Sequence, residues 1–228
     1  GVDPSTVRQI NNFTEIDNEA VAVKRKEFNT PDEATVIVSL ARYHPVKALD
    51  ILVRAMKDLP DSYLWLAGDG PLRKDLEAQA KDLGVEERVK FLGWRDDRDE
   101  LLRAADICAF VSRHEGFGNV FVQAWGNKVP VIVSDAQGPR QFCTHEQDCL
   151  MVPKDNSTAI AESVKRLQSD KVLAMKIVNE GHQNYQENFT KEKSVEHYLQ
   201  FYKDVLSAPQ SMHVENQDTN QKKSIQLM

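Results

Sequence analysis

The sequence predicts an α/β domain: a parallel six-stranded sheet with helices on its faces. Three observations carry that prediction. Short β-branched or aromatic runs alternate with stretches whose apolar residues recur every three to four positions. The short runs are predominantly apolar without strict alternation, as strands covered on both sides are. Eight of the ten glycines fall between Gly68 and Gly138, at the joints between runs. Parallel neighbours need a crossover, and each run but the last is followed by a helical pattern that supplies one.

Taken in order, residues 1–30 read as a lead-in and linker holding one weak helical pattern, Asn18 to Phe28. TVIVSLA (35–41) is the first strand, followed by the helix VKALDILVRAMKDL. YLWLAG (63–68) leads into PLRKDLEAQAKDLG, and RVKFLGW (88–94) into RDELLRAA. DICAFVS (106–112) precedes NVFVQAWGN, VPVIVSD (129–135) precedes the short PRQFCT, and CLMVP (149–153) completes the sheet. After Pro153 the pattern is helical only. STAIAESVKRLQS, with Ser157 as its expected cap, is followed by DKVLAMKIVNEGHQNYQENF and KEKSVEHYLQFYKDVLS, all expected along one edge. The domain is therefore drawn at 31–206. Residues 207–228, without aromatic residues and with little apolar period, are expected to be a disordered tail.

Composition narrows the function. A chain of 228 residues with 41% hydrophobic content can bury a sizeable core. Its net charge of -6, with both signs mixed, argues against a nucleic-acid partner and against a broad anionic-lipid face. Any anion must be met locally. Three sparse cysteines, Cys108, Cys143 and Cys149, favour a reducing, cytoplasmic setting. No run reaches the roughly 18 apolar residues of a membrane span, and no signal peptide is evident. The opening GVDPSTV lacks an initiator methionine and reads as a cut piece.

Ligands of such sheets bind beyond the carboxyl ends of the strands, near the switch in strand order. Arg42 and Lys47 stand just beyond the first strand. The turn HEGFGNVFVQ brings glycines that admit backbone amides to a ligand, and a helix N-terminus that favours negative charge. Phosphate is the expected guest. Glu115 conflicts with a bare phosphate but suits hydroxyls attached to one. Gln123, eight residues on, lies within roughly 12 Å by helical rise, about the reach of a nucleotide-linked sugar.

The blocks ARYHPVKALDILVRA, LWLAGDGPLRKDLEAQAKDLGVEERVKFLGWRDD, LLRAADICAFVSRHEGFGNVFVQAWGNKVPVIVSDAQGP and CLMVP resemble, in order, the donor-binding half of retaining GT-B glycosyltransferases of group 1, or GT4. The resemblance runs over about residues 30–205. It implies a Rossmann-like domain, the C-terminal half of a GT-B fold. It implies that Arg42 and Lys47 bind the diphosphate and neutralise the charge that develops as the nucleotide departs. Glu115 matches the first of two family acids and would hold hydroxyls of the donor sugar. Phe117, Gly118 and Asn119 match the turn whose amides meet sugar and phosphate. Gly93 and Trp94 lie where the base is received, and Gly68 and Gly70 border the crevice. Position alone, next to Glu115, leaves two readings for His114: contact with the donor, or a local hydrogen bond. The second acid, expected on the ribose diol, is Gln123 here, which offers one oxygen and a donor in place of two acceptors. That implies altered ribose contact.

The same resemblance implies no cofactor and no metal, with the nucleoside-diphosphate sugar as substrate and a glycan or lipid-linked acceptor. It also implies a separate N-terminal acceptor domain, a last helical segment that crosses back to it, and peripheral membrane association of the full-length protein. Loss of that domain should leave Phe201 and Tyr202 exposed. Two other readings stay open: a non-catalytic nucleotide-sugar binding module, and a sugar-nucleotide epimerase of the same architecture. Rival signals read as structure. GDGPLR and GFGNVF do not complete a dinucleotide fingerprint. Asp97 and Asp99 suit a helix N-terminus better than a metal. Cys143, His145 and Cys149 lack an evident fourth ligand, and Phe121 and Trp125 read as core.

Overall fold

The structure, a computed structural model, describes residues 7–207. Six strands form one sheet: β1 (Thr35–Leu40), β2 (Ser62–Ala67), β3 (Val89–Gly93), β4 (Ile107–Phe110), β5 (Val131–Ser134) and β6 (Leu150–Val152). All neighbours are parallel, in the order β3-β2-β1-β4-β5-β6. Every expected strand is present within two residues of its expected bounds. The chain builds outward from β1, then returns to β1 and builds the other way. That reversal opens a crevice between the carboxyl ends of β1 and β4, as in Rossmann-like sheets.

Eight helices connect and cover the strands among the described residues: α1 (Leu49–Ala55), α2 (Arg73–Asp82), α3 (Arg98–Ala104), α4 (Asn119–Gly126), α5 (Gln137–Phe142), α6 (Ser157–Ser169), α7 (Lys171–Asn188) and α8 (Lys191–Ser207). Alternation along the strands makes two cores. Ile37, Leu64, Leu66, Ile107 and Ile132 pack under α1, α2 and α6. Val36, Val38, Trp65, Cys108 and Phe110 pack under α3 and α4, where Phe121 and Trp125 are also fully buried. Burial pushes the Cys108 thiol up to about 12, so it stays a neutral hydrophobe. α7 joins the two layers. Leu173 and Ile177 belong to the first core, and Phe189, just past its end, belongs to the second. Between them Gly181 admits the Trp125 ring, which a Cβ would meet at 2.3 Å.

Several expectations need correction. The cap of α6 is Asn156, whose extended backbone lets its side chain accept from the Ala159 N–H at 2.9 Å; Ser157 is already helical. The pattern at 18–28 yields only a 3-10 turn, Arg25–Phe28. The rest of the lead-in is held by arginines that take the carbonyls a helix would have used. Arg103 donates to the carbonyls of Asp17, Asn18 and Ala20, and Arg25 to those of Asp32, Ala34 and Ala104. The Thr14 N–H donates to the Phe189 carbonyl at 3.1 Å, and the Ser194 hydroxyl to the Asn11 carbonyl at 2.9 Å. Asp99 is buried and accepts from the Asp17 N–H and from Asn127, while Asp97 pairs with Arg95.

In α8 only Ser194 is buried. Tyr202 is exposed as expected, but Phe201 is half-buried beside Arg8 to Ile10. No helix among the described residues is long and apolar enough to cross a membrane. Of the expected tail, only Ser207, which ends α8, lies among the described residues.

Candidate active site

The crevice is shaped by two turns. After β1, the Ala41 N–H donates to the Ala67 carbonyl, so Arg42 leaves the sheet at its carboxyl edge. His44 then accepts from the Val46 N–H and caps the tight turn Pro45–Lys47. This turn carries Lys47 toward the loop after β4. There its Nζ lies 2.6 Å from Glu115 Oε2 and 5.6 Å from the centre of the Phe110 ring. Both side chains of the pair are about one-fifth exposed. Arg113 fastens the two turns together. Its N–H donates to the Val46 carbonyl, and its guanidinium binds the Pro45 carbonyl, Asp50 and Asp155.

The floor depends on glycine. Gly68 sits so close to the first turn that a Cβ would stand 2.0 Å from the Ala41 oxygen. Gly118 opens α4 with a φ of 103°, and a Cβ there would meet the Phe110 ring at 2.6 Å. One turn into α4, Gln123 is 8% exposed, and its amide makes no hydrogen bond to another described residue.

Together these elements enclose a cleft of about 470 Å³ lined by Arg42, Lys47, Gly68, Trp94 and Gln123, with Arg95, Asp96 and Arg98 at one end. Five of the twelve expected site residues thus line one cavity, and Glu115 joins through Lys47. The other six frame it. Gly70 lies against the Tyr43 backbone, and the Gly93 carbonyl accepts from the Gly68 N–H. His114 and Asn119 are exposed at the mouth, and Gly118 is the hinge already described. The Phe117 ring turns away, into a cluster with Phe121, Phe142 and Phe189, which leaves only its main chain for a ligand.

Sequence reasoning missed Arg95, Asp96, Arg98 and the bracing Arg113. The run WRDDR directly after Trp94 was a usable signal, because it continues the turn at the crevice. Arg95 is not free for a ligand: it pairs with Asp97, holding that carboxyl below its ordinary range, and covers the Phe28 ring. The Tyr43 hydroxyl donates a hydrogen bond to the Leu66 carbonyl, and burial pushes its pKa up, so it belongs to the scaffold.

The pairing of Lys47 with Glu115 gives the acid a partner of its own beside the place where the sequence predicts an anion. The ammonium has three N–H donors; Glu115 takes one and two remain for oxygens in the cleft. Arg42, exposed and without an ion-pair partner among the described residues, adds a second cation at the same wall. A larger cavity of about 690 Å³, between the lead-in, α4 and α7, contains none of the expected residues.

Comparison with known proteins places this geometry. The profile of the family described as Glycosyl transferases group 1 matches residues 21–184. The chain is 36% identical over 194 residues to the lipopolysaccharide core biosynthesis glycosyltransferase LpsE of Rhizobium meliloti (strain 1021), covering 85% of this chain and 57% of that protein. LpsD of the same organism is 35% identical over 196 residues, with 86% and 57% covered. The chain therefore spans little more than half the length of these relatives. Among solved structures, HepE of Anabaena in complex with UDP and glucose superposes with a TM-score of 0.73 at 26% identity, over 80% of this chain and 50% of that one. Sucrose-phosphate synthase of Thermosynechococcus elongatus gives 0.77 at 26% identity, over 89% and 53%. With the matched segment covering most of the sheet and the cleft, the chain belongs to the group 1 glycosyl transferases.

Proposed function

We propose that this chain is the donor-binding half of a retaining GT-B enzyme of the GT4 group, moving a hexose from a nucleoside-diphosphate sugar to a glycan or lipid-linked acceptor. The observation that carries the reading is the cleft at the strand-order switch, where Arg42 and Lys47 stand beside Glu115 and Gln123. A diphosphate seated there meets two cations. As the bond to the sugar lengthens, negative charge gathers on the leaving diphosphate, and fixed cations stabilise it without reorganising. Glu115, held in place by Lys47, accepts from sugar hydroxyls. Gln123 faces the ribose, and the rim at Trp94 receives the base. The proposed transfer uses these cations and no metal.

The HepE structure with UDP and glucose supports a nucleotide-sugar donor, and the lipopolysaccharide core relatives support a glycan or lipid-linked acceptor. The acceptor belongs on an N-terminal domain. The exposed apolar residues of α8, Tyr198, Leu199 and Tyr202 among them, suit its cover. We place the full-length protein in the cytoplasm, peripherally associated with the membrane.

Calorimetric titration with UDP-glucose tests the site. Lys47→Ala should weaken binding by about 1.5–3 kcal/mol, roughly 10- to 150-fold, through loss of a charge-assisted contact. Unchanged affinity would refute the diphosphate assignment. Gln123→Glu should hold or improve affinity by restoring two acceptors to the ribose, and a large loss would assign this side chain another task. The amide at Gln123 also favours a second reading, a non-catalytic nucleotide-sugar binder. A full-length protein that binds donor but glycosylates nothing in a broad acceptor screen supports that alternative.

A further inference from the structure

At the end of the sheet opposite the cleft, the chain turns between α5 and β6. Cys143 follows the last residue of α5, and Cys149 immediately precedes β6. The sequence pairs these cysteines with His145, but the structure turns His145 outward, half-exposed, with its Nδ1 accepting from the Met151 N–H at 3.0 Å. Asp148 takes the inward place. One ligand atom from each of Cys143, Asp148 and Cys149 lies within 4.8 Å of the others. The three residues are 7%, 4% and 0% exposed.

Asp148 is oriented on every side. Its Oδ1 accepts from the Thr144 N–H at 2.7 Å and its Oδ2 from Asn184 at 3.3 Å, while its carbonyl accepts from the Trp125 indole at 2.9 Å. Each carboxylate oxygen keeps a lone pair beyond these bonds. Among the described residues no cationic side chain forms an ion pair with it. Three groups able to carry negative charge are thus buried together without a counter-cation, and outer hydrogen bonds of this kind are what fix metal ligands in place. Two thiolates and a carboxylate suit a borderline-soft dication. Tetrahedral Zn–S bonds of about 2.3 Å set sulfur atoms roughly 3.8 Å apart, a shift of an ångström or less from the present cluster.

We propose that Cys143, Asp148 and Cys149 form a buried site for a zinc-class divalent cation, with water in the fourth position. On binding, the two thiol protons leave to solvent and the cation takes the sulfur lone pairs; no electrons are exchanged. Burial, reinforced by contact with Cys149 and Asp148, pushes the Cys143 thiol well up, so the proton lost there is one the cation must displace. The metal ties the end of α5 to the start of β6 and, through Asn184, to α7. The site is separate from the donor cleft and does not depend on its assignment.

The test titrates the full reduced chain with Zn2+ alone and with Co2+ alone. One equivalent of Zn2+ should survive desalting, Co2+ should give a thiolate charge-transfer band, and loading should release about two protons to an unbuffered solution. Cys143→Ala with Cys149→Ala should abolish all three, while UDP-glucose binding at the other end stays unchanged. Should that variant fail to fold, Asn184→Ala decides, with an expected 10- to 100-fold weaker retention. No retained equivalent, retention unaffected by the substitutions, or a Cys143–Cys149 disulfide as the sole product of loading would overturn the proposal.

Discussion

Helices α6 and α8 are built alike and end differently. Each repeats apolar residues at three-to-four spacing: Ile160, Ala161, Val164 and Leu167 in α6; Val195, Tyr198, Leu199, Tyr202, Val205 and Leu206 in α8. The first set is at most 4% exposed; the second is 48% to 85% exposed. An amphipathic pattern specifies a face but not the surface that covers it. α6 finds α1 and the sheet, whereas α8 meets α7 and the lead-in along one side and leaves its other apolar residues open. Under the proposed function, the missing cover for α8 is the acceptor domain.

That contrast can be broken by matched substitutions. Leu167→Ala should cost about 2–5 kcal/mol in urea unfolding, since a buried leucine leaves a cavity. Leu199→Ala, the corresponding change in α8, should stay within about 0.5 kcal/mol. Equal costs would mean that α8 is covered in solution, by self-association or otherwise, and the comparison would fall. The smaller effect lies at the start of α6. Asn156→Ala should cost about 1 kcal/mol by removing the cap, and Ser157→Ala close to nothing, because its hydroxyl caps no amide. A reversed ranking in the same unfolding series would show that the cap was wrongly assigned.

The legible part of the fold was the periodic part. Six strands and the bounds of α6 and α8 follow from repeating apolar positions, which local chemistry writes into every few residues. The cleft was legible at its ends, because strand-to-helix turns and the reversal in strand order leave glycines and charges in known places. What escaped were single polar contacts between distant residues. Lys47 and Glu115 meet across 68 positions, and nothing near either residue announces the other. The lead-in needs little periodicity, because arginine side chains as well as its own turns satisfy its carbonyls, Arg103 taking those of Asp17, Asn18 and Ala20. Asp148 reads as one turn acid among several until the fold sets it beside two thiols.

The bonds from Thr14 to Phe189 and from Ser194 to Asn11 also have a temporal meaning. A ribosome delivers the earlier member of each pair long before its mate, and a closure spanning more than 170 residues gains nothing until both have emerged. The sheet can assemble while synthesis continues, but the clasp must wait. Its closing therefore marks the arrival of α7 and α8: a chain stalled short of Phe189 would hold Asp17 to Ala20 through Arg103 but lack the bonds that fix Asn11 and Thr14.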